Sequence, residues 1–389
     1  MPNEETYDYV VIGLGSIGSM TLWQLSAMVS PDTKILGIEQ FGIVHPHGSY
    51  AGESRLFRVA VKEGGELVPL VQQARDLWME LNEISARDVF LPIGALSIGV
   101  QGSAPIEATM ASIREWNLEH EFLDRDLLKE RFPQFEVEDQ MVGILDTQGG
   151  GIRPELAVAS ATEEARRLGA EIRTHMPVKS INLETTLDGS ERVRISTKDG
   201  DIMAKHVIVT TGSWAKDLLP EVGEKIEVTP ITLTWMMPRD IKQFLPDQMP
   251  VFLYDSDLED GSHFHIYGAP SLDGYTVKFS EGHDFIPVAS VEELVRKVPE
   301  SDLDEFSNKA SNVVPDFYES CPRYSVHHDG FTANGRPIID TLKGKPITVA
   351  VGMSGTGMKF APVYGQIAAE LATTGHSSKR PDSFTSIRD

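Results

Sequence analysis

The chain has 389 residues, 41% hydrophobic and 24% charged, which allows two or three compact units and excludes collagenous, coiled-coil and disordered readings. Its 35 Lys+Arg against 58 Asp+Glu leave a formal charge of −23, a surface that repels nucleic acid and anionic membranes, so neither is expected as a partner. With no apolar run of roughly 18 residues, no signal-like pattern from Met1 to Tyr7 and one cysteine, Cys321, the chain reads as a cytoplasmic protein without an internal disulfide.

Tyr9-Val10-Val11-Ile12 is a β-branched run that predicts a buried parallel strand. It runs into Gly13-Leu14-Gly15-Ser16-Ile17-Gly18, after which Ile17, Met20, Leu22, Leu25 and Met28 recur at helical spacing. A second strand, Lys34–Ile38, ends at Glu39. Strand, glycine turn, helix, strand and terminal acid make a dinucleotide-binding unit. Gly13 permits the tight turn, Gly15 lets a pyrophosphate reach the backbone, and Gly18 lets helix and strand pack closely. Glu39 is placed to accept from a ribose 2′-hydroxyl. The motif alone does not choose between NAD and FAD.

The polar stretch His45–Arg58 carries two arginines three apart, and an amphipathic helix follows over 66–84. Ala204–Thr211 is a third apolar strand, ending at Gly212. Phe264–Gly268 and Tyr275–Phe279 alternate as strands of a mixed or antiparallel sheet do. Ile347–Val351 is another buried strand, leading into the turn Gly352-Met353-Ser354-Gly355-Thr356-Gly357 and a helix from about Pro362 to Thr373. The polar tail after Gly375 reads as loosely ordered. Nucleotide-binding signals at the start, middle and end of the chain predict an α/β fold. Its Rossmann-like cofactor domain is built from 1–85, 151–222 and 323–389, and a second domain with a mixed or antiparallel sheet from 86–150 and 223–322. His45 with His47, and His263 with His265, have no third ligand at a metal spacing, so no metal is expected. His327-His328-Asp329 reads as a solvated turn.

These motifs in this order resemble the sarcosine oxidase family of FAD-dependent amine oxidases, within the D-amino acid oxidase fold. The resemblance spans about Tyr7 to Thr374 and rests on the glycine turn with Glu39, Gly52–Arg58, Thr211–Trp214, Val277-Lys278 and Gly352–Phe360. It implies oxidation of the C–N bond of an N-substituted amino acid, hydride equivalents passing to FAD and then to O2 with release of H2O2. It implies cofactor contacts at Gly13, Gly15, Ser16, Ile17, Gly18, Glu39, Gln40, Ser49, Ser54, Arg55, Val178, Gly212, Trp214, Gly355, Gly357, Met358 and Lys359. Arg58 and Lys359 would hold the substrate carboxylate, as a dry site needs fixed cations, with Tyr267 and Trp235 also at the substrate. Lys278 and Arg55 would be catalytic, Lys278 favouring superoxide formation and Arg55 the anionic reduced flavin.

The chain departs from the family pattern in three places. Cys321 is followed by Pro322 and Arg323 before Tyr324-Ser325, one residue out of register for the family's covalent linkage, so non-covalent FAD is expected. His283 stands five residues after Lys278 where the family histidine stands four after, and Ala51 replaces a histidine near the ring. The lost histidine, with Thr232–Met237 and Tyr254 as wall residues, favours a larger N-substituent such as a fructosyl group. Sarcosine, N-methyltryptophan and a dehydrogenase with another acceptor remain alternatives, as does a nucleotide-binding module without activity. A monomer or small homo-oligomer is expected.

Overall fold

A computed structural model describes residues 5–186, 189–257, 263–282 and 286–387. The chain begins with β1 (Glu5–Ile12), α1 (Ser16–Met28), β2 (Ile35–Ile38), β3 (Arg55–Phe57), α2 (Val68–Ser85) and β4 (Phe90–Leu91). There follow β5 (Ala95–Val100), α3 (Ala104–Trp116), β6 (His120–Leu123), α4 (Arg125–Arg131), β7 (Met141–Asp146), β8 (Gly150–Ile152) and α5 (Pro154–Arg167). Next come β9 (Glu171–Arg173), β10 (Val178–Thr185), β11 (Glu191–Thr197), β12 (Asp201–Val209), α6 (Ala215–Leu218) and α7 (Pro220–Gly223). The last third holds β13 (Glu227–Met236), β14 (Val251–Asp257), β15 (His263–Ala269), β16 (Val277–Gly282), α8 (Glu300–Val313), β17 (Arg323–Phe331), β18 (Ile338–Thr341), β19 (Ile347–Val351) and α9 (Gly357–Thr374).

The first sheet runs β10-β11-β12-β1-β2-β9, with β19 also on β12 and β18 on β19. Its centre is parallel, β12 beside β1 beside β2 beside β9. Central parallel strands are covered on both faces, which is why β1, β2, β12 and β19 read as nearly continuous apolar runs. Gly13 sits at φ +88, and a Cβ on Gly18 would meet the Gly13 carbonyl at 1.7 Å, so α1 reaches the β1 turn only through glycine. The helix at the end of the chain starts five residues before Pro362, at Gly357. That early start matters, because it puts Lys359 in the first helical turn.

The second sheet runs β17-β13-β16-β15-β14-β5-β7-β6, antiparallel except where β14 lies parallel to β5. Its residues alternate between two environments. Met236, Phe252, Tyr254, Phe264, Ile266, Val277 and Phe279 form one apolar core with Phe306, Ala310 and Val313 of α8. The opposite face carries Leu233, Leu253, His265, Tyr267 and Lys278, which line a large cavity between the two sheets. Residues 323–331 form β17 and pair along most of β13. The solvated turn read at His327-His328-Asp329 is therefore wrong: His327 and His328 are buried in a strand. The tail after Gly375 is also docked, contrary to its loose reading. Phe384 packs edge-on against Tyr364, and Arg380 Nε donates to the Ile339 carbonyl at 2.7 Å.

Candidate active site

The cavity has a volume of about 710 Å³ and begins at the glycine turn. Gly13, Gly15, Ser16 and Ile17 line it, at the N-terminus of α1, where no side chain caps the helix and the backbone N–H groups face an anion site. Glu39 accepts from Leu14 N–H at 2.8 Å and Phe41 N–H at 2.9 Å. Burial alone would raise its pKa, but these bonds and His45, whose Nε2 lies 3.6 Å away, hold the carboxyl below its ordinary value. Gln40, Ser49, Val178, Gly212 and Trp214 line the same end. His45 lines it too, a contact that the sequence reading passed over.

A second uncapped helix N-terminus enters from α9, where Gly355, Gly357, Met358 and Lys359 line the cavity. Thr211 Oγ1 and Arg58 Nη1, on residues that line the same cavity, are buried polar atoms without a protein partner. Two anion-ready helix ends, an acid at the β2 terminus and unsatisfied polar atoms in the cavity wall suit an FAD molecule, with pyrophosphate on α1 and ribose at Glu39. Gly18 and Ser54 do not line the cavity; Gly18 acts through packing, and Ser54 through its backbone.

The loop 49–54 is held by two cations. Arg55 donates to the carbonyls of Ser49 (2.8 Å), Ala51 (2.6 Å) and Ser54 (2.7 Å), and Lys278 Nζ donates to those of Gly52 (3.2 Å) and Ser54 (2.7 Å). Glu155, which the sequence did not flag, accepts from the Gly52 and Glu53 N–H groups. Lys278 is only 2% exposed, and burial together with the charge of Arg55 pushes its pKa well below the lysine value. His327 stands beside both cations, and burial and their charges push its pKa down to about 3, so it is neutral. Burial lifts the Asp329 carboxyl to about 6. Ala51 does not line the cavity, and Leu233, Arg55 and His327 surround the neighbouring Gly52.

Arg58 and Lys359, from opposite ends of the sequence, converge. They meet on Glu63, whose Oε1 accepts from Lys359 Nζ at 3.0 Å and Arg58 Nη2 at 3.3 Å. Burial would raise the Glu63 pKa, but the two cations outweigh it and hold the carboxyl far below its usual range. Asp146 fixes the chain after Arg58 by accepting from Val59 N–H (2.6 Å) and Ala60 N–H (2.9 Å). Trp78 Nε1 donates to the Lys359 carbonyl and ties α2 to α9. The pair thus holds a carboxylate of the protein's own inside the cavity.

Other sequence-based assignments fall elsewhere. Trp235 is not in the lining; it lies under Lys278 and is stacked by Arg323 at 4.0 Å. Of the segment 232–237 only Leu233 lines the cavity, because strand alternation turns Met236 into the opposite core, where Tyr254 also lies. His283 and the side chain of His263 lie outside the described residues. Cys321 packs against the core beneath the second sheet, across the sheet from the cavity. Burial raises its thiol pKa and its Sγ donates to the Arg323 carbonyl at 3.2 Å, the surroundings of an inert thiol.

A family model described as FAD dependent oxidoreductase matches residues 8–371. The chain belongs to that family. This FAD-dependent enzyme is 31% identical over 378 residues to the monomeric sarcosine oxidase of Streptomyces avermitilis, covering 95% of this chain and 94% of the relative. It is 32% identical to the N-methyl-L-tryptophan oxidase of Shigella dysenteriae, covering 94% of this chain and 95% of the relative. Among solved structures, the fructosyl amine:oxygen oxidoreductase (amadoriase I) of Aspergillus fumigatus superposes with a TM-score of 0.76 at 20% identity, covering 97% of this chain and 88% of that one. The non-covalent cofactor expected from the position of Cys321 agrees with the thiol's place across the sheet. Among the described residues no helix is long and apolar enough to cross a membrane.

Proposed function

We propose that the protein oxidises the C–N bond of N-methylated α-amino acids and passes the electrons to O2, releasing H2O2. The convergence of Arg58 and Lys359 on a carboxylate inside the cofactor cavity carries this reading. The names of the two curated relatives support an N-methyl substrate over the fructosyl group favoured by the sequence, while the amadoriase shares the fold alone. On this reading FAD, when bound, accepts the hydride equivalent from the substrate carbon. Arg58 and Lys359 anchor the carboxylate and set the amine's distance from the ring. Tyr267 lines the substrate end, and Arg55 places positive charge beside the ring site. Lys278 supplies charge for oxygen reduction. The segments 1–85, 151–222 and 323–389 supply most of the cofactor half and 86–150 with 223–322 most of the substrate half, although β17 lies in the second sheet and Arg58 and Lys359 reach the substrate from the first group. Adding sarcosine, N-methyltryptophan, fructosyl-glycine and fructosyl-valine to the yellow holoenzyme tests this. Bleaching and stoichiometric H2O2 with an N-methyl substrate are expected; bleaching by fructosyl compounds alone overturns the substrate class, and bleaching without H2O2 overturns the oxidase.

A further inference from the structure

The end of the cavity where Arg58 and Lys359 meet holds one cation more than the proposed chemistry uses. Lys62 lines the cavity, and among the described residues it makes no hydrogen bond and no ion pair. The charges that act on it are those of Asp255, Arg58 and Glu63, and it acts in turn on Lys359. Both nearby carboxylates are engaged elsewhere. Glu63 Oε1 accepts from Lys359 and Arg58 while its Oε2 has no partner, so the Lys62 ammonium does not bond the carboxylate next to it in sequence. Asp255 lies buried against His265, whose Nδ1 is 2.6 Å from its Oδ1. Both anions attract Lys62 from beyond bonding distance, and neither occupies it.

The backbone holds this lysine in place. The Val61 carbonyl accepts from Ser112 Oγ at 2.6 Å and the Glu63 carbonyl from Arg336 Nη2 at 3.1 Å, so the chain is anchored on each side of Lys62. Gly64, at φ +136, then turns the chain through a conformation that other residues seldom adopt. Burial lowers the Lys62 pKa from its ordinary value, with Asp255 and Glu63 opposing the shift and Arg58 assisting it. A cation withdrawn from water and without a bonded partner gains most from an anion that a ligand brings. Its position also says which part of a substrate it meets. In an N-methylated amino acid the side chain leaves the same carbon as the α-carboxylate. With that carboxylate on Arg58 and Lys359, Lys62 is the unbonded cation beside it.

We propose that Lys62 binds a second carboxylate, carried on the substrate side chain, so that the enzyme selects N-methylated acidic amino acids over their neutral amides. This rests on the amino-acid oxidase reading above. The holoenzyme would be assayed with two pairs that differ in charge and hardly in size, with sarcosine as reference. One pair is N-methylaspartate against N-methylasparagine; the other is N-methylglutamate against N-methylglutamine. In at least one pair the acid should be preferred about tenfold in kcat/KM, the worth of one charge-assisted hydrogen bond. Lys62→Met should bring that ratio to about one through KM, and should cost sarcosine and the amides far less than the acid. Lys62→Arg should keep most of the preference, and Lys62→Glu should invert it. Methylthiosuccinate and its β-amide, which carry no amine, should rank the same way by flavin difference spectra, and Lys62→Met should level their affinities. The proposal is overturned if the wild type treats acid and amide alike in both pairs, or if the preference survives Lys62→Met. It is also overturned if Lys62→Met costs sarcosine as much as the acid, since Lys62 would then serve the α-carboxylate. Failure of sarcosine and every N-methyl compound to bleach the flavin would instead overturn the oxidase reading, while the thioether affinities still decide the role of Lys62.

Discussion

Glu63→Gln should make the enzyme bind its substrate carboxylate more tightly and make the free protein less stable. In the structure Glu63 Oε1 accepts from Lys359 at 3.0 Å and Arg58 at 3.3 Å, two charge-assisted bonds of about 1.5–3 kcal/mol each. A substrate carboxylate has to displace or share both. The glutamine amide oxygen can still accept from both cations, but without a negative charge the bonds keep roughly half that strength, so the competition weakens by about 1.5–3 kcal/mol, or tenfold to a hundredfold in Kd. The same charge loss leaves Arg58 and Lys359 buried without an anion, which should lower stability by about 2–4 kcal/mol. A carboxylate ligand at about 100 times its Kd returns roughly 2.7 kcal/mol. Thermal melts of holoenzyme with and without saturating carboxylate, beside Kd values from flavin difference spectra, measure both effects. The gap between variant and wild type should narrow sharply with ligand. Weaker binding by the variant would refute the reasoning, since Glu63 would then be holding the two cations in place for the substrate rather than competing with it.

Four further outcomes follow from the same geometry. Glu39→Ala should lower FAD retention after extensive dialysis with the fold intact by circular dichroism, since the Glu39 carboxylate lines the cofactor cavity at the end of β2; unchanged occupancy counts against the ribose assignment. Acid precipitation should release the yellow colour to the supernatant, because Cys321 lies across the sheet from the cavity; a yellow pellet would contradict this. Lys278→Met should slow reoxidation about a hundredfold, equivalent to 2.7 kcal/mol, and change anaerobic reduction far less; wild-type reoxidation would return Lys278 to a purely structural role. The Lys278 pKa is depressed, so its charge is lost as pH rises through that lowered value. Reoxidation should therefore decline with rising pH below the ordinary lysine range in the wild type, and stopped-flow traces of Lys278→Met should lack that decline.

The cofactor half was legible in the sequence because its signals are local. Buried parallel strands need apolar side chains on both faces, and the glycine turn needs Gly13 and Gly18 at positions where no Cβ fits. The substrate half was legible only in part, because its residues meet through tertiary packing. Glu63 lies in a polar Val61-Lys62-Glu63-Gly64 stretch that looks like surface, and nothing local ties it to Lys359, 296 residues away. Likewise the polar run His327-His328-Asp329 hides a buried strand, since His328 satisfies its ring nitrogens on Ser213 and on the His47 carbonyl. Trp235 failed as a lining residue because strand register alone does not say which neighbour, here Lys278, covers an aromatic ring.

The arrangement of charge explains why the site tolerates so many cations. In a chain of net charge −23, Arg58, Lys278 and Lys359 are all less than one-tenth exposed, and Arg55 stands among them on the same cavity wall. A cation removed from water is stable only when hydrogen-bonded or paired. The protein solves this in two ways. Arg55 and Lys278 are solvated by the carbonyls of one loop, with the carboxylates of Glu155, Glu53 and Asp329 offsetting their charge from further away. Arg58 and Lys359 are neutralised by a carboxylate instead, and a carboxylate is what a substrate can replace. The first pair is therefore held by fixed backbone and the second by a carboxylate that another carboxylate could exchange for, a division of labour that follows from the partners each cation has.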